Sequence, residues 1–115
     1  MIKNGTYCYF DTQTGIKTFK SVVAAKISYR SQSLCHQFEL APPVYEMIDE
    51  YSYRSGVADT LYFDNKYKKP TYLYGEYKNL YLQLRKILPG KQSYDIHSGN
   101  LGHWNGKVVL IDFYP

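Results

Sequence analysis

Asn105-Gly106 constrains this chain more than any other dipeptide in it. A type I′ turn needs positive φ at both central residues, and Asn-Gly meets that need at least steric cost. Leu101–Trp104 enters the turn and Lys107–Phe113 leaves it, which predicts a C-terminal β-hairpin. The returning strand contains Val108-Val109-Leu110-Ile111, apolar throughout, and then Asp112. A carboxylate there is costly to bury unless a metal or a partner compensates it.

Upstream, Leu73, Tyr77, Leu80, Tyr81, Leu84 and Leu88 recur at three- and four-residue spacing, which predicts a helix over Tyr72–Leu88, stopped by Pro89-Gly90. Nearer the N-terminus, Thr6–Phe10 and Ile16–Lys20 flank the turn 11–15 and predict a hairpin. Ser21–Ser28 is apolar and partly β-branched, and reads as a third strand. Tyr29–Phe38 reads as a short helix with Leu34, Cys35 and Phe38 on one face. Ala41-Pro42-Pro43 ends it and starts an extended segment, Val44–Ile48. Leu61-Tyr62-Phe63 reads as a short strand, and Lys66–Pro70 as a basic linker. Strands, a helix, more strands, a long helix and a final hairpin make an α+β arrangement.

A chain of 115 residues supports one domain with one modest core. It holds no apolar run long enough for a signal peptide or a spanning helix, so the cytoplasm is the expected address and no membrane partner is expected. Cys8 and Cys35 lack metal-ligand spacing and read as small buried hydrophobes. The net charge of +4 favours anionic partners weakly. Fourteen tyrosines suit a small core built from amphipathic rings.

The chemistry-bearing residues lie around the hairpin. Asp95, His97 and Asn100 precede it in the stretch Asp95-Ile96-His97-Ser98-Gly99-Asn100, and Asp112 follows its second strand. A loop gripped between a helix and a hairpin can hold a carboxylate and an amide carbonyl a fixed distance apart, and the returning strand brings back a second carboxylate. Magnesium takes such oxygen ligands, and a hydroxyl nucleophile needs a carboxylate to orient it. His97 reads as a residue that fixes the loop, His36 as a helix-surface residue and Trp104 as a cross-strand packing residue.

This pattern resembles the catalytic loop and metal-binding strand of the protein-kinase-like superfamily, and is closest in wording to its aminoglycoside-phosphotransferase branch. By that resemblance Asp95 is the catalytic aspartate, and Asn100 and Asp112 hold magnesium. Val23-Ala24-Ala25-Lys26 resembles the strand whose lysine contacts nucleotide phosphates, which makes Lys26 the expected ATP-binding residue. Gln32 stands near the place where the family has a glutamate to hold that lysine. The resemblance implies a minimal kinase-like domain over 1–115, with a sheet-bearing lobe over 1–70 and the helix, catalytic loop and hairpin over 71–115.

The expected function is therefore ATP- and magnesium-dependent phosphate transfer. Residues after Phe113 do not extend into the family's activation segment, so acceptor recognition is expected to fall to another chain or another copy of this one. A pseudokinase that binds or inhibits another protein is the alternative. A small basic nucleic-acid-binding protein, its tyrosines stacking on bases, is a third reading with no motif in its favour.

Overall fold

A computed structural model describes residues 2–4, 8–59, 74–88, 101–111 and 113. Its elements are β1 (Ile2–Asn4), β2 (Cys8–Asp11), β3 (Ile16–Phe19), α1 (Val22–Gln37), β4 (Val44–Asp49), β5 (Ser52–Ser55), α2 (Tyr74–Ile87), β6 (Leu101–Trp104) and β7 (Lys107–Leu110). The chain is α+β: an antiparallel sheet in the order β1-β2-β3-β5-β4, two helices and the separate hairpin β6–β7.

Local signals build most of these elements. The β2–β3 turn closes through Gly15, at φ +78, whose N–H donates to the Asp11 carbonyl at 2.8 Å. Asp11 also accepts from the Gln13 N–H, a bond that lowers its carboxyl pKa. The β6–β7 turn is the expected one, with Asn105 at φ 51 and Gly106 at φ 79. On α2, Leu80 and Leu84 are buried and Tyr81 and Leu88 pack half-buried beside them, as the spacing predicts.

The N-terminal half of α1 corrects the sequence reading. Residues 22–28 are helical, not a third strand, and the helix runs on to Gln37. Ser21 is its N-cap: extended at φ −138 and ψ 154, it accepts from the Ala24 N–H through its side chain. The β-branched Val22, Val23 and Ile27 suggest a strand, but the buried set Ala24, Ala25, Ser28, Ser31, Gln32 and Cys35 has helical period. These residues are mostly small, so the helix lies close on the sheet. Leu34 and Phe38 remain largely exposed, so the expected apolar face carries only Cys35 into the core. The structure adds the strands β1 and β5, for which the sequence reading has no strand, and Leu61–Phe63 lies outside the described residues.

Three apolar clusters tie the pieces together. Phe19, Ala24, Ala25 and Tyr53 fill the space between α1 and the sheet. Cys35, Leu40, Leu80, Leu84, Leu101, Val108 and Leu110 join both helices to the hairpin. Phe10 and Ala58 meet Val109 and Ile111. Strand alternation thus sends Val108 and Leu110 toward the helices and Val109 and Ile111 toward the sheet. The run is apolar throughout because both of its faces are buried. Backbone bonds between Asp59 and His103, and from Leu110 N–H to Leu40 O, fasten the hairpin to the rest.

Candidate functional site

The least expected side chain in the core is Lys17. It is 1% exposed, and on β3 it shares the inward face with Phe19. The register pairs it with Phe10 of β2 on one side and Tyr53 of β5 on the other. Both rings sit near its ammonium, with centroids at 5.1 and 5.8 Å, and Phe113 adds a third at 5.9 Å. Cation–π attraction offsets part of the desolvation cost.

Hydrogen bonds complete the setting. Lys17 Nζ donates to Gln32 Oε1 of α1 at 2.9 Å and to the Ile111 carbonyl at 2.5 Å. One ammonium therefore joins the central strand, the helix after it and the exit of the hairpin. Gln32 is itself fully buried. Its Oε1 also accepts from the Tyr53 hydroxyl at 2.8 Å, and its Nε2 donates to Pro42 O at 3.0 Å and Ser55 Oγ at 2.7 Å. Tyr53 spends its one hydroxyl proton on Gln32, so Ser28 Oγ is the donor in the 2.9 Å Ser28–Tyr53 contact. Ser55 Oγ in turn donates to the Gly56 carbonyl. Buried polar groups linked in this way fix one another's geometry.

The expected site residues fall in several places. Lys26 lies on α1 and is exposed, so its expected strand position is corrected; the buried strand lysine is Lys17, nine residues earlier. Asp95, His97, Asn100 and Asp112 lie outside the described residues. Ile111 and Phe113, which flank Asp112, are each 2% exposed. His36 is half-buried, its Nδ1 donating to Ala41 O at 3.0 Å. Trp104 packs beside the cluster of Phe10, Val109 and Ile111. No group of three His, Cys, Asp or Glu side chains with metal-binding geometry occurs among the described residues.

Sequence reasoning missed Lys17 because the chain carries many lysines and a β-strand has no capping signal to index it. The available signal was alternation: in Ile16-Lys17-Thr18-Phe19, the lysine shares its parity with the phenylalanine.

Two surface features complete the description. Arg54 pairs with Glu46 at 2.8 Å and lies over the Tyr45 ring at 4.6 Å. Lys107, beside the hairpin turn, pairs with Glu39 and holds its carboxyl below the ordinary range. No described helix is long and apolar enough to cross a membrane. No protein-family model, curated protein or solved structure matches this chain.

Proposed function

We propose that this protein is a minimal kinase-like domain that binds ATP with magnesium, and that Lys17 contacts the nucleotide phosphates in place of Lys26. The observation that carries this reading is the meeting at Lys17 Nζ of a central strand, Gln32 of the following helix and the carbonyl just before Asp112. In the kinase arrangement a strand lysine meets an acidic residue on the next helix beside the metal-binding aspartate. The order of the described elements supports the same reading: sheet, helix, sheet, helix, hairpin, with Asp112 following the hairpin in the sequence. Magnesium would take its oxygen ligands from Asn100 and Asp112 and would neutralise phosphate charge, while Asp95 would orient the acceptor hydroxyl.

Calorimetric titration with Mg-ATP tests the reading. Wild type and Lys26→Met are expected to bind alike, and Lys17→Met to bind at least ~10-fold more weakly, the scale of one lost charge-assisted bond. A flat trace for folded wild type, or undiminished binding by Lys17→Met, would remove it.

One observation favours the non-catalytic version, a module that binds nucleotide or a protein target: three rings and Gln32 enclose the lysine almost completely. Labelled ATP separates the two. Transfer or hydrolysis that is lost in Asp95→Asn with affinity retained marks the enzyme. Nucleotide bound without turnover in wild type marks the module.

A further inference from the structure

We infer that the cleft between the end of α1, α2 and the β6–β7 turn binds a free α-amino acid with an apolar side chain, its ammonium taken by Glu39 and its carboxylate by Lys107. The cleft holds about 200 Å³, and Glu39 and Lys107 both line it. That volume lies between the ~150 Å³ of a cavity that takes benzene and the ~300 Å³ at which sites for drug-sized molecules begin. It suits a ligand of amino-acid size. The lining shares no residue with the hydrogen bonds of Lys17 and Gln32, and amino-acid binding here does not depend on the nucleotide reading.

Glu39 is the telling residue. It sits at φ 61, in the left-handed region that strains a side-chain-bearing residue. There it closes α1 as a Schellman motif: its N–H donates to His36 O and the Leu40 N–H to Cys35 O, each at 2.9 Å. Glycine is the usual occupant of that position, and an ion pair as exposed as Glu39–Lys107 stabilises little. Stability therefore does not account for a glutamate there, whereas a carboxylate offered to a ligand does. A ligand with one charge would leave either Glu39 or Lys107 without its partner. A zwitterion exchanges their pair for two charge-assisted contacts and buries its side chain as well. The walls supply the apolar surface: Leu80 and Val108 are core residues, and Phe38 stands beside the cleft 54% exposed. Asn79 and Gln83, one turn apart on α2, add amides that can bond to either end of the ligand.

Calorimetric titration of the intact chain with L-leucine, isocaproate and isoamylamine tests the site. Isocaproate is leucine without the ammonium, and isoamylamine is leucine without the carboxylate. Trp104 fluorescence gives a second signal, because Trp104 lines an adjoining pocket that also contains Glu39 and Lys107. L-Leucine is expected to bind, and each of the other two to bind at least ~10-fold more weakly, the scale of one lost charge-assisted contact. Glu39→Gln should bring leucine down to the affinity of isocaproate, and Lys107→Gln down to that of isoamylamine. Absence of leucine binding by folded wild type, or equal affinity for all three ligands, would overturn the site. Undiminished leucine binding by either variant would overturn the role given to that residue. The three ligands on wild type decide the matter alone if circular dichroism shows a variant unfolded.

Discussion

Lys17 shares its face of β3 with Phe19 and its row across the sheet with Phe10 and Tyr53, so an ammonium stands where neighbouring positions hold rings. Lys17 Nζ is a donor to the buried Ile111 carbonyl and shares Gln32 Oε1 with the Tyr53 hydroxyl, so removing it alone leaves buried acceptors short of a partner. Lys17→Met is therefore expected to lose roughly 1–3 kcal/mol of urea stability. Stability equal to or above wild type would instead mean that the desolvation cost of the charge outweighs its bonds. Cys35, also fully buried, offers a pH test. Its thiol has no exposure to water, and burial pushes its pKa up from 9.0 to about 12. A raised folded-state value means that the folded chain keeps a proton the unfolded chain gives up. The contribution is thus complete below pH 9 and is lost as pH rises toward 12. Stability should fall by about 1.4 kcal/mol per pH unit across that window from this group. Cys35→Ala should show a shallower alkaline slope in denaturation series; parallel slopes would refute the assignment.

Among the elements, α1 and the β6–β7 hairpin show how local chemistry and close approach divide the work. The Ser21 cap satisfies the Ala24 N–H at 3.0 Å, and Ser21→Ala is expected to cost about 1 kcal/mol. A shift of less than about 0.3 kcal/mol in denaturant unfolding would mean that water replaces the cap at no loss. For the hairpin the informative residue is Gly102. A Cβ there would lie 2.9 Å from both Ala58 Cβ and the Asp59 carbonyl, and 3.0 Å from Ile111 Cδ1. The Asp59 oxygen belongs to the backbone bridge to His103, so it cannot yield without breaking that bridge. Gly102→Ala should destabilise by roughly 1–3 kcal/mol, the usual scale of overpacking. Gly106→Ala meets no atom within 4 Å and bears only the strain of its positive φ, so it should cost less. The reverse order of the two variants would show that the hairpin does not pack as described.

Across the molecule, the three apolar clusters share elements, so cooperative unfolding is expected. Trp104, the single tryptophan, reports on the hairpin beside Phe10, Val109 and Ile111, while far-ultraviolet circular dichroism reports mainly on the helices. The two signals should trace one urea transition. An earlier fluorescence transition would mean that the hairpin detaches by itself. What the sequence alone determined were features carried by adjacent residues: the Asn105-Gly106 turn, the turn closed by Gly15, the apolar spacing of Leu80 and Leu84, and the α+β order. Each depends on backbone sterics or helical period, which act over a few positions. Tertiary packing decided the rest. It selected helix over strand at Val22–Ser28, because the small residues Ala24, Ala25 and Ser28 gain more by lying against the sheet than Val22, Val23 and Ile27 lose in helix propensity. It also enclosed Lys17 and left Lys26 exposed, because which lysine is enclosed depends on strand register with Phe10 and Tyr53 and on Gln32 and Ile111 arriving from distant parts of the chain. Contacts across 15 and 94 residues leave no local trace, since they exist only once the sheet, the helix and the hairpin have come together.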